Sequence, residues 1–167
     1  MQLIIGFGEI GKSLFNIIAR YYEVETLDVE PKDLFIERPE IMHICFGYSD
    51  KFVEQVKVYQ EKYKPTYTVI HSTVPVGTSR QLNAIHSPCR GLHTNLESGL
   101  LTFPKFLGGE KASEVADYFR RADMKVVLYD KPETTEALKL FDTEYYRHCV
   151  EFAKEVKTLT SKFPLYS

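Results

Sequence analysis

Gly6-Phe7-Gly8-Glu9-Ile10-Gly11 places three glycines at a spacing that can wrap a phosphate. The first allows a tight turn, the second lets backbone approach a pyrophosphate, and the third lets a helix pack close to its strand. A helix opening at this turn adds unpaired amides and the positive end of its dipole. The whole stretch, Gly6, Phe7, Gly8, Glu9, Ile10 and Gly11, is therefore a candidate dinucleotide cradle. Asp28 follows about 20 residues on, where a carboxylate can accept hydrogen bonds from both ribose hydroxyls of an adenosine. It would repel a 2′-phosphate, so NAD is expected over NADP. The alternative is a glycine turn without a ligand, with Asp28 capping a strand.

These residues need a strand–turn–helix frame, and the surrounding pattern supplies one. Leu3-Ile4-Ile5 is a short apolar run suited to a buried parallel strand. Ile10, Leu14, Ile17 and Ile18 fall at helical spacing. We expect strands at 2–6, 24–29, 41–46 and 67–71, with weaker strands at 90–93 and 105–107 and another at 125–129. Helices are expected at 10–21, along Phe52, Val56, Tyr59 and Tyr63, at 78–85 and at 110–122, with a loop at 31–40. This alternation predicts an α/β fold, a doubly wound and mostly parallel Rossmann sheet. Two strand ends then acquire meaning. Phe46-Gly47-Tyr48 would border the adenosine, with Gly47 permitting close approach and Phe46 or Tyr48 covering the base. Ser72 and Thr73 would lie on the carboxyl edge, within reach of the nicotinamide ribose or a substrate hydroxyl. A plain turn and a packed strand end are the respective alternatives.

Leu138, Phe141, Tyr145, Cys149, Phe152, Val156 and Leu159 step by three or four between Pro132 and Pro164. A helix over 133–162 would run about 45 Å and overreach a domain of this size. Residues 1–131 are expected to form the dinucleotide-binding domain, and 132–167 a long helix that joins two copies into a homodimer. The alternative is that it folds back on its own sheet. A net charge of −2 implies no broad basic surface, so nucleic acid is not an expected partner. No apolar run is long enough to span a membrane. The first strand begins at the N-terminus, which predicts no signal peptide. Cys45, Cys89 and Cys149 form no metal-ligand pattern, and a reducing cytoplasm is the expected setting.

His71-Ser72-Thr73-Val74-Pro75-Val76-Gly77-Thr78 resembles the turn after the fourth strand in the UDP-glucose/GDP-mannose dehydrogenase family. The glycine turn, Asp28 and the long final helix fit that family and its broader 6-phosphogluconate and 3-hydroxyacid dehydrogenase relatives. The resemblance implies an NAD-binding domain followed by a dimer-building helix, without the family's C-terminal domain. Glu136-Ala137-Leu138-Lys139 fits the family's catalytic lysine segment, so Lys139 is implied to polarise a substrate oxygen or stabilise an alkoxide. Position 143 is threonine where the family has asparagine, and Lys154-Glu155 stands in place of Asn-Glu. The family's Pro-Glu segment after the fifth strand is expected near 93–97, where no Pro-Glu is present. Gly91-Leu92-His93 is also similar to prephenate dehydrogenases, whose histidine takes a hydroxyl proton; His93 is the corresponding candidate. Two functions follow. One is an oxidoreductase moving a hydride between NAD and an alcohol, hydroxyacid or sugar-type small molecule, through Lys139, His93 and Ser72. The other is a catalytically degenerate NAD-binding module or regulatory subunit.

Overall fold

Strand β1 (Gln2–Ile5) runs into the glycine turn, and helix α1 (Glu9–Ile18) leaves it. The computed structural model describes residues 1–28, 38–91 and 95–162. Most of the expected loop at 31–40, and His93 with its neighbours, lie outside the described residues. Seven strands are present among the described residues. After β1 come β2 (Val24–Leu27), β3 (Ile41–Ile44), β4 (Tyr67–Ile70), β5 (Ile85–His86), β6 (Lys105–Gly108) and β7 (Val126–Tyr129). Their order across the sheet is β2-β1-β3-β4-β5-β6-β7. Pairing is parallel except between β5 and β6, which meet antiparallel at His86 and Gly108. The order reverses at β1, so a crevice opens between the carboxyl ends of β1 and β3, where such sheets take ligands.

Side-chain alternation divides the core into two layers. Ile4, Ile41, Val69, Ile85 and Leu107 pack with α1, α4 (Leu96–Thr102) and α5 (Ala112–Arg121) on one face. Leu3, Ile5, Met42, Ile44 and Ile70 pack on the other, against α2 (Phe52–Tyr63) and the turn leading to α3 (Thr78–Gln81). The central strands are buried on both faces, which explains their nearly continuous apolar runs. Helix α6 (Pro132–Lys162) begins against α3 and β5–β7, then projects beyond the sheet. Its start lies so close that a β-carbon on Gly108 would fall 2.5 Å from Thr135 Oγ1.

Three expectations need correction. Helix α3 stops at Gln81 rather than at residue 85, because Asn83 takes a left-handed conformation (φ 47°) that closes the turn. The following strand is Ile85–His86, so Arg90 and Gly91 lie beyond it rather than opening a strand. Helix α4 was not expected. Asn95 caps it by accepting from the Ser98 amide, and Leu96 and Leu100 anchor it one turn apart. Gly99 hides the pattern, but a β-carbon there would fall 2.6 Å from the Arg90 carbonyl.

Candidate dinucleotide site and the adjoining groove

The three glycines serve separate purposes. Gly6 has φ 93°, and a β-carbon there would lie 2.8 Å from the Phe46 amide nitrogen. A β-carbon on Gly11 would lie 2.0 Å from the Gly6 carbonyl oxygen, so α1 rests directly on the turn. Gly8, the N-cap of α1, has no atom within 4 Å of that position. Packing therefore demands Gly6 and Gly11, whereas Gly8 keeps an open side from which an anion can meet the first helical turn. Phe7 lies edge-on against Phe15 at 5.7 Å, with the Lys12 ammonium 6.0 Å from its ring. Glu9 occupies the first turn, exposed, and Ile10 is half-buried beneath it.

Register sets Asp28 beside this turn. Ile5 pairs with Leu27, and the Gly6 amide donates to the Leu27 carbonyl at 2.8 Å. Asp28, the next residue, is exposed level with Gly6. Across the crevice, Phe46 and Gly47 follow β3. With Ile5, Gly6, Gln55 and Tyr59 they line a cavity of about 250 Å³. Phe46 packs on Phe52 and Tyr59, and exposed Tyr48 packs on Phe52. Ser72 and Thr73 stand at the end of β4. Thr73 is exposed, whereas Ser72 is buried and its hydroxyl donates to the Phe46 carbonyl. That hydrogen is committed, so Ser72 has only lone pairs to offer a ligand. The turn, Asp28, Phe46, Gly47, Ser72 and Thr73 thus converge on one edge of the sheet.

A buried polar chain lies beneath this edge. Lys105, 2% exposed, donates from Nζ to the Ser87 and Pro88 carbonyls at 2.7 and 3.2 Å, and lies 3.1 Å from His71 Nδ1. His71 Nε2 is 2.9 Å from His43 Nδ1, and His43 Nε2 is 2.8 Å from Gln2 Oε1. His71 Nδ1 also lies 3.0 Å from the Ser87 carbonyl. Two tautomer sets fit. In one, Lys105 donates to His71 Nδ1, His71 Nε2–H to His43 and His43 Nε2–H to Gln2. In the other, His71 Nδ1–H donates to the Ser87 carbonyl, His43 Nδ1–H to His71 and a turned Gln2 amide to His43. An unmet polar atom here would cost about 1–3 kcal/mol. Burial holds the His71 pKa well below its ordinary value and that of His43 down to about 3, with the Lys105 charge adding to both. Burial also lowers the Lys105 pKa and raises that of the neighbouring Cys45 thiol. His86 donates from Nε2 to the Ser72 carbonyl at 3.2 Å, and its Nδ1 meets Thr135 Oγ1 at 2.9 Å; burial lowers its pKa to about 4. These histidines are neutral internal struts.

Helix α6 is tied to the turn after β4 by Glu136. The buried Glu136 carboxylate accepts from the Gly77 amide at 2.6 Å and the Ser79 amide at 2.8 Å. Lys139, one turn further on, lies 4.0 Å from Asp142. Thr143 donates its hydroxyl to the Lys139 carbonyl on its own helix. Lys139 lines a groove formed by α6, β6, β7 and the chain after β5, which has no lining residue in common with the cavity beside Gly6. Arg90 lines it too, although nothing in its sequence context marks it. Because β5 ends at His86, the segment following the fifth strand is Ser87-Pro88-Cys89-Arg90. It contains a proline followed by cysteine, not glutamate. Among the described residues, no group of His, Cys, Asp or Glu is arranged to hold a metal ion.

Solved structures with this architecture include UDP-D-ManNAc dehydrogenase from Pyrococcus horikoshii, at TM-score 0.81 and 15% identity over 98% of this chain. The chain has their Rossmann fold. It covers 55% of that dehydrogenase, so it spans about half the length of this relative. 3-Hydroxyisobutyrate dehydrogenase from Mycobacterium tuberculosis, solved with L-serine, matches at TM-score 0.77 and 14% identity, over 99% of this chain and 66% of that one. A reductive aminase from Aspergillus terreus, solved with NADPH and ethyl levulinate, matches at 0.69 and 10%, over 99% and 67%. The expected fold class and the resemblance to nucleotide-sugar and hydroxyacid dehydrogenases agree with these matches at the level of the fold. No protein-family model and no curated protein sequence matches the chain.

Proposed function

We propose that this chain binds NAD and transfers a hydride between it and an alcohol, hydroxyacid or sugar-type small molecule. The observation that carries the reading is the glycine turn. Gly6 and Gly11 are fixed by packing, Gly8 is open, and Asp28 lies level with Gly6. The first turn of α1 would face the pyrophosphate, Asp28 would accept from the adenosine ribose hydroxyls, and Phe46 and Gly47 would border the adenosine. Asp28 favours NAD over NADP, whose 2′-phosphate it repels. The bound cofactor supplies the hydride acceptor or donor. Thr73 and the Ser72 lone pairs orient the nicotinamide ribose or the substrate hydroxyl. Lys139 as the ammonium stabilises the developing alkoxide while His93 takes the hydroxyl proton, or a neutral Lys139 takes that proton itself.

Residues 1–131 would act as the dinucleotide domain, and 132–167 as the helix joining two copies. Phe141, Tyr145, Phe152 and Leu159 support this, each more than half exposed along one helix. The free thiols suit a cytoplasmic setting. A second reading, an NAD-binding module without turnover, is favoured by Cys89 after Pro88 and by the internal bond that occupies Thr143. An absorbance screen for NADH with alcohols, hydroxyacids and nucleotide sugars separates the two. Turnover that disappears in Lys139→Ala or His93→Ala, with NAD affinity retained, is the result expected of the enzyme. Silence across the panel is expected of the module.

A further inference from the structure

The groove that contains Lys139 already holds a carboxylate, and it belongs to the protein. Asp142 Oδ1 lies 3.2 Å from the Arg90 guanidinium, and Oδ2 lies 4.0 Å from Lys139 Nζ. Two cations thus share one anion. The Arg90 guanidinium sits 5.7 Å from the ring centres of both Phe103 and Phe106, which hold its plane in place without neutralising it. Beyond the charged end, Phe106, Tyr129 and Tyr145 wall a cavity of about 350 Å³. The Asp142 side chain is 42% exposed and Arg90 37%, so solvent screens their pair and it is readily displaced.

We infer that this groove binds a small carboxylate carried on an apolar or aromatic body, with Asp142 occupying the ligand's seat until it arrives. Arg90 and Lys139 take the incoming carboxylate, the aromatic walls take its body, and Asp142 turns to solvent. A neutral ligand gains only the walls. Calling this ligand the substrate rests on the dehydrogenase reading above; the anion seat itself does not.

The probe is benzoate, with benzamide as its uncharged counterpart, in NMR titrations of the full chain followed at the Tyr129 and Tyr145 resonances. Benzoate should produce saturable shifts, and benzamide should bind at least several-fold more weakly. Asp142→Asn removes the internal competitor and should tighten benzoate about threefold to tenfold, whereas Arg90→Gln should abolish its advantage over benzamide. Should Arg90→Gln lose its fold, the gain in Asp142→Asn remains decisive. The inference is overturned if benzoate gives no saturable shifts, if benzamide binds equally well, or if Asp142→Asn weakens binding. Calorimetry with NAD on the same sample keeps the two claims apart. NAD binding without benzoate binding removes this seat and leaves the dinucleotide reading. Benzoate binding without NAD binding leaves the seat and removes its role as a substrate site.

Discussion

At the scale of single residues, the three glycines should fail differently. Gly11→Ala puts a methyl 2.0 Å from the Gly6 oxygen and should cost about 1–3 kcal/mol or more in thermal or denaturant unfolding. Gly8→Ala meets no atom within 4 Å, so it should melt near the wild-type temperature while NAD affinity falls at least tenfold. Unchanged affinity in Gly8→Ala would deprive the turn of its proposed role. Asp28→Ser should narrow the preference for NAD over NADP, as measured by the ratio of the two dissociation constants. Most of this part of the site was legible in the sequence, because glycine spacing and the following acidic residue act through local geometry. Ser72 was legible only as a strand-end hydroxyl; that its hydrogen goes to Phe46 depends on β3 and β4 lying side by side. Arg90 and Glu136 were not legible as site residues, because their partners are 52 and 57 to 59 residues away in sequence.

At the scale of elements, Glu136 decides how α6 sits on the turn after β4. Glu136→Gln would place an amide group against one of the two N–H donors of Gly77 and Ser79 and should cost about 1–3 kcal/mol in unfolding, with Lys139 displaced along with the helix. The buried histidines predict a pH dependence. His43 and His86 titrate near 3 and 4 in the folded chain, and His71 is also lowered, against about 6.5 when unfolded. The unfolded chain therefore binds more protons below pH 6.5. Stability from these groups is present above that value and declines as pH falls toward 4, by up to about 1.4 kcal/mol per pH unit for His43, with His86 levelling off near its own folded value and His71 acting in the same direction. Denaturant midpoints between pH 7 and 4 measure it, and a flat profile would contradict the burial of the chain. Long strands and helices were readable from periodicity. The two-residue β5 and the glycine-interrupted α4 were not, because both are held by contacts across the fold rather than by local pattern.

At the scale of the whole molecule, α6 projects an aromatic stripe that is left exposed among the described residues. If it joins two copies, Phe152→Glu should shift the sedimentation coefficient from that of a dimer to that of a monomer, with the unfolding midpoint of the sheet domain little changed. A wild-type monomer at all concentrations would remove the homodimer from the proposal. The cavity beside Gly6 and the groove of Arg90 and Lys139 have no lining residue in common, so substitutions should be able to remove NAD binding and benzoate binding independently. Calorimetric titration of the full chain with NAD and with NADP tests the central claim most directly. Saturable 1:1 binding of NAD, several-fold tighter than NADP and lost in Gly8→Ala, is the predicted result; binding of neither dinucleotide at millimolar concentration would contradict it.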